Sequence, residues 1–340
     1  MRDQSILLSL LWRFVAGCLI GAIYSDARYG MPAPAIGAPV GALMAVGFYS
    51  LERFVLRRNA GGLIRPLPFP VYFALRSALY VVLIVLTLVV VNEAGGVSVR
   101  RISVDDLLFS LLLVVAVILL LSVNDLLGPG VLFAFAAGRY YRPRIEERAI
   151  LFIDMRASTA IAERLGELRY LDLLNRFVAD VSFAVVAAGG DIHKYVGDEV
   201  IATWRLSPAA NDPACVRAAF ATRDRFNAHE TVYERDFNVV PDFRAGLHCG
   251  SVAVGELGSL RKEIALIGDT MNTAARILEV CRDTDHRIVA SQALLERVEA
   301  LPRGVTRLGL GDLSMRGKAR PLELYALEMS PADIRKIEEL

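Results

Sequence analysis

A chain of 340 residues has room for two or three domains. With 54% hydrophobic and 22% charged residues and a mean hydropathy of +0.43, it is too apolar for a purely soluble enzyme, and the apolar excess lies before about residue 127. A net charge of +1 excludes a strongly basic nucleic-acid binder, and four cysteines (Cys18, Cys215, Cys249, Cys281) without CxxC spacing exclude a zinc site or a disulfide framework.

The first region, 1–127, carries four apolar runs at about 6–24, 35–55, 71–91 and 107–123. Each is long enough to cross a hydrocarbon core of ~30 Å as a helix. The last, LLFSLLLVVAVILLLSV, contains no charge. These runs predict an all-α transmembrane domain of four helices, embedded in a lipid bilayer. Arg53 stands near the end of the second run and Arg57, Arg58 and Arg65 follow it, while Arg139, Arg142, Arg144 and Arg148 follow the fourth. The other two loops hold fewer cations, accompanied by Asp26 or by Glu93, Asp105 and Asp106. By the positive-inside rule both termini face the cytoplasm of a multi-pass protein in the cell inner (plasma) membrane. Arg13 falls near the cytoplasmic end of the first run, where its head can snorkel. The same arginine argues against a cleaved signal peptide over 1–27. All four histidines lie beyond residue 190, so a bis-His haem site within the membrane region is not expected.

Gly128–Pro129–Gly130 breaks the fourth helix and opens a linker or transducing segment over 128–147. Beyond it the composition is that of an ordinary globular domain, 148–328, followed by a tail, 329–340. AILFIDM reads as a buried strand ending in Asp154, and the small, polar RAST after it suits backbone N–H groups that cradle phosphate. Thr159 in that turn is expected among the substrate contacts. RYLDLLNRFVADVSFAVVAAGG has helical spacing and ends at Gly189–Gly190. GGDIHKYVGDEVIATW predicts two strands joined at a tight turn with Asp198 at its tip. If that hairpin pairs with the first strand, Asp154 and Asp198 converge, and convergent carboxylates repel unless a metal lies between them. FRAGLHCGSVAVGELGS predicts a second hairpin turning at its glycines. KEIALIGDTMNTAARILEV passes from strand to helix near Asp269, with Asn272 and Arg276 at i and i+4 on one face. GDLSMRGKARPLELYALE closes the domain with a turn and a strand.

FIDMRAST, HKYVGDEV, GLHCGSVAVGELG, LIGDTMNTAARIL and MRGKARPLELYAL, in this order, resemble the catalytic domain of class III nucleotidyl cyclases over roughly 148–327. The resemblance implies an α/β domain, ferredoxin-like and related to polymerase palm domains, with a mostly antiparallel sheet. It implies two Mg²⁺ or Mn²⁺ ions per site, held by Asp154 and Asp198. The ribose 3′-oxygen of a nucleoside triphosphate then attacks the α-phosphorus in line, releasing pyrophosphate. Arg276 is expected to stabilise charge on the α-phosphate, Asn272 to position the ribose, and Lys318 to touch the polyphosphate. For the base, Lys194 donates to N1 of adenine and Asp269 accepts from its N6 amine, a pattern that guanine reverses. The expected activity is therefore membrane-bound adenylate cyclase, a phosphorus–oxygen lyase that converts ATP to 3′,5′-cyclic AMP. Sites shared across a homodimer are implied, with the aspartates from one domain and the Asn and Arg from the other. A guanylate cyclase, or a receptor-like membrane protein with a silent cyclase domain, are the competing readings. The membrane region is expected to be regulatory and to take a small or lipidic ligand.

Overall fold

The computed structural model describes residues 2–29, 34–51, 69–94, 108, 111–113, 115–116, 118–120, 123, 138, 140–206, 214–260, 262–313 and 321–329. The chain forms two compact units, Met1–Leu127 and Gly128–Leu340.

In the first unit the apolar runs become helices α1 (Arg2–Tyr29), α2 (Pro34–Ser50) and α3 (Phe69–Ala94). Among the described residues one stretch, Leu10–Ala27, is by itself long and apolar enough to cross a membrane. Gly37–Ser50, Ala74–Thr87 and Leu111–Leu120 are shorter apolar helical stretches, and the expected runs 35–55 and 107–123 extend onto residues outside the described set. Glycines bring α1 and α2 into backbone contact. A Cβ at Gly17 or Gly21 would strike the carbonyl of Gly41 or Gly37, and the reverse substitutions strike α1 in the same way. This is the small-xxx-small packing through which helices associate without a hydrophobic driving force. Arg13 places its guanidinium 4.3 Å from the centroid of the Tyr49 ring, a cation–π contact between the same two helices. Arg76 on α3, inside the expected run 71–91, is only 3% exposed.

The second unit is built on one mixed sheet. Its elements are β1 (Arg144–Met155), α4 (Ser158–Leu165), α5 (Glu167–Ala187), β2 (Asp191–Val196), β3 (Glu199–Arg205), α6 (Ala214–Ala228), α7 (Glu230–Phe237), β4 (Phe243–Leu257), β5 (Glu263–Ile267), α8 (Asp269–Thr284), β6 (Ile288–Ser291), α9 (Gln292–Leu295), β7 (Val305–Leu313) and β8 (Leu322–Met329). The strand order is β2-β3-β1-β4-β6-β8-β7, with β5 paired to β4. All pairs are antiparallel except β4 with β6.

Strand β1 is buried on both faces, which explains its unbroken apolar run. Leu151, Ile153 and Met155 join a core with Leu173, Phe177 and Val181 of α5, whereas Ile150 and Phe152 pack on the other face against Ala274 and Leu278 of α8. The sheet thus sits between two helical layers. Asp180 on α5, 4% exposed, accepts bonds from Arg225, His229 and Tyr233 and ties α5 to α6 and α7.

FRAGLHCGSVAVGELGS is not a hairpin. It is the single fifteen-residue strand β4, which pairs with β1 along most of its length and with β5 at its end. Its glycines serve close approach rather than reversal. A Cβ on Gly246 would lie 2.5 Å from the Leu278 amide nitrogen and 2.8 Å from the Ala274 carbonyl oxygen, both backbone atoms of α8, and one on Gly255 would press on Pro143. Gly246→Ala is expected to push α8 off the sheet and to cost about 1–3 kcal/mol. A thermal-unfolding comparison with the parent checks this, and an unchanged midpoint would count against such tight seating of α8.

Candidate active site

The register between strands brings the two aspartates together. Ile153 of β1 pairs with Val200 of β3, so Asp154 and the Gly197–Asp198 turn emerge at the same end of neighbouring strands. Gly197 has φ +62, the left-handed conformation that this two-residue turn between β2 and β3 requires. Asp154 is 7% exposed. Burial raises its pKa, and the neighbouring Asp198 raises it further, while Arg282 opposes both. Asp198 keeps a buried Oδ2 with no hydrogen-bond partner.

A third carboxylate stands beside them. Burial first, and then the charge of Asp154, push Glu199 up to about 7, with Asp198 adding to the rise and Arg282 working against it. The hydroxyl of Tyr170 on α5 is also shifted upward, by burial and by the charges of Asp198 and Asp154. Among the described residues the cation that reaches this acidic end is Arg282, near the end of α8, whose Nη2 lies 2.5 Å from Asp154 Oδ2.

The donor set fits a hard divalent cation. Two convergent carboxylates, one with a raised pKa and one with an orphaned oxygen, form an arrangement that a cation relieves, and oxygen-only donors suit Mg²⁺ or Mn²⁺. Among the described residues no group of three or more His, Cys, Asp or Glu side chains is placed to hold a metal.

The other expected site residues fall on different elements. Thr159 is exposed in the first turn of α4, directly after the left-handed Ala157 (φ 54) that turns the chain out of β1. Lys194 stands on β2 with its Nζ 3.5 Å from both carboxylate oxygens of Glu263 on β5. His193 beside it is driven down to about 4 by burial and by the charges of Lys194 and Arg148, so its ring is neutral at physiological pH. Asp269 is the first residue of α8, exposed, with its backbone carbonyl accepting from Thr273. Asn272 is exposed and Arg276 half-buried on the same helix. Lys318 lies outside the described residues.

Arg276 precedes Arg282 by six residues, which on an α-helix is ~9 Å along the axis and roughly 120° around it. Arg276 thus leaves α8 from a different face than Arg282, the residue that meets Asp154 in the same chain. Arg282, Glu199, Tyr170 and Glu263 are the site residues that sequence reasoning missed. Only Glu199 had a signal, its place in the turn beside Asp198.

Comparison with known proteins gives the family and the fold. The family described as "Adenylate and Guanylate cyclase catalytic domain" matches residues 140–329. Adenylate cyclase 2 of Rhizobium meliloti is 31% identical over 335 residues, covering 96% of this chain and 91% of that protein. Among solved structures, a bacterial light-regulated adenylyl cyclase superposes with a TM-score of 0.57 at 20% identity, covering 71% of each chain. The adenylyl cyclase CyaB from P. aeruginosa superposes with a TM-score of 0.50 at 22% identity, covering 56% of this chain and 98% of that one. Both likenesses concern the fold.

Proposed function

The chain belongs to the adenylate and guanylate cyclase catalytic-domain family, and from that premise we propose that it is a membrane-bound adenylate cyclase, forming 3′,5′-cyclic AMP and pyrophosphate from ATP. The observation that carries the reading is the convergence of Asp154 and Asp198 at one strand end, with a buried oxygen left unpartnered. The near-complete coverage of a relative named adenylate cyclase supports the choice of reaction.

In this reading Asp154 and Asp198 hold the divalent ions, which when bound supply Lewis acidity to the ribose 3′-oxygen and the departing pyrophosphate. The residues of the chain do the rest. The N-terminal turn of α4, with Thr159, binds phosphate oxygens. Asn272 orients the ribose for in-line attack. Arg276 presents a planar guanidinium to the charge that develops on the α-phosphate, a task for which a lysine point charge is poorly shaped. Lys318 completes the polyphosphate contacts. Within one chain Arg282, and not Arg276, meets Asp154, and this supports a homodimer in which each site takes Asn272 and Arg276 from a second copy.

Lys194 donates to N1 of adenine, and a carboxylate accepts from the N6 amine. Asp269 is the acceptor that the sequence nominates, while Glu263 is the one that stands beside Lys194. Guanine carries its donor and acceptor in the opposite order, and a buried mismatched pair costs enough for strong discrimination. Lys194→Glu is therefore expected to lower kcat/KM for ATP by about 10²-fold and to raise the GTP to ATP preference. Measuring both nucleotides in Lys194→Glu, Asp269→Asn and Glu263→Gln tests the reading and identifies the acceptor. An unchanged ATP preference in Lys194→Glu would contradict it.

The apolar first unit anchors the enzyme as a multi-pass protein with both termini cytoplasmic. Leu10–Ala27 and the interlocked α1–α2 pair support this. One helix suffices for an anchor, so the remaining helices serve regulation, through a small or lipidic ligand.

A further inference from the structure

Arg282 has no part in the reaction described above, yet it makes the shortest charged contact at the site. It leaves the last turn of α8 and reaches Asp154 at 2.5 Å, although its side chain is 51% exposed and has open water available to it. A helix C-terminus favours a cation by itself, but that preference does not direct the guanidinium onto a carboxylate that is 9% exposed. The acidic end explains the direction. Asp154, Asp198 and Glu199 lie near one another, and Arg282 is the cation that acts on both Asp154 and Glu199. The guanidinium occupies Oδ2 of Asp154, an oxygen that a metal ion bound to this carboxylate would use or crowd.

Resting on the reading of Asp154 and Asp198 as the cation site, we propose that Arg282 is a resident counter-cation that a divalent ion must displace, so that metal binding is an exchange of guanidinium for metal. Until the ion arrives, Arg282 keeps mutually repelling carboxylates together and so preserves the geometry of the site. Once the ion is bound, Arg282 is released into solvent on the rim of the site. It is a positioning residue. Asn272 and Arg276 cannot replace it, because they point from another face of the helix.

The test is direct Mn²⁺ binding to purified full-length protein without nucleotide, followed by electron paramagnetic resonance, for the parent and for Arg282→Gln, Arg282→Lys and Asp198→Asn. Arg282→Gln removes the competitor and is expected to bind Mn²⁺ on the order of tenfold more tightly. Arg282→Lys keeps the charge without the planar fork and is expected to fall between the two. In chelator, Arg282→Gln should unfold at a lower temperature than the parent, and Mn²⁺ should close that gap. Equal or weaker Mn²⁺ binding by Arg282→Gln, with binding still abolished by Asp198→Asn, would overturn the exchange while leaving the cation site in place. Binding that Asp198→Asn does not alter would remove the cation site itself, and the exchange with it.

Discussion

Asp198→Asn is expected to lower cyclic AMP formation on the order of 10³-fold, the scale of losing a charged ligand to catalytic metal ions. The change keeps the shape of the side chain and removes one charge beside the buried Asp154, whose carboxyl already sits above its ordinary range because of burial and this neighbour. Relief of that repulsion means that the metal-free variant should be no less stable than the parent. The pairing of a large loss of turnover with an undiminished unfolding temperature distinguishes a functional carboxylate from a structural one. Turnover and thermal unfolding measured on the same preparation check both halves. A variant that retained a tenth or more of the activity would remove Asp198 from the metal site.

Arg276→Ala is expected to cost about 10²–10³-fold in kcat with little change in KM, because a guanidinium aimed at developing charge contributes in the transition state rather than in the ground state. Its position on α8 leads to a sharper result. Within one chain the cation at Asp154 is Arg282, and Arg276 lies about a third of a turn away around the helix. If two copies exchange these elements, a mixture of Arg276→Ala and Asp198→Asn chains contains heterodimers with one intact site and one doubly damaged site. Co-expression of the two inactive variants should then restore about a quarter of the parental activity, since roughly half of the dimers are mixed and each holds one working site. A mixture as inactive as its components would mean that every site is built within a single chain.

Much of the catalytic unit is legible in the sequence because local patterns decide it. An apolar run such as AILFIDM has to be a strand buried on both faces, and Gly197–Asp198 between two β-rich segments has to be a turn. The convergence of Asp154 and Asp198 follows once those two elements pair, as the Ile153–Val200 register shows. The strand-to-helix change at Asp269 is equally local, and α8 begins there.

What is not legible depends on contacts remote in sequence. Gly246, Gly250 and Gly255 look like turn residues, but Gly246 and Gly255 are needed where α8 and Pro143 press against one long strand. Arg282 is unremarkable on its helix, and only the packing of α8 against β1 places it on Asp154. Glu263 meets Lys194 because β5 folds back on β4 and brings two segments 69 residues apart to the same place. In the first unit, hydropathy locates the helices but is silent on how they meet. The glycine faces of α1 and α2 and the buried Arg76 are matters of helix contact, which no hydropathy window reports.

The most direct measurement of the central claim is nucleotide turnover by the purified full-length protein in detergent or nanodiscs. ATP and GTP are compared with Mg²⁺ and with Mn²⁺, and Asp198→Asn serves as the blank. Cyclic AMP formed from ATP in preference to GTP, and lost in Asp198→Asn, is the expected result. No cyclic product from either nucleotide would contradict it and make a receptor-like protein with a silent cyclase domain the leading reading.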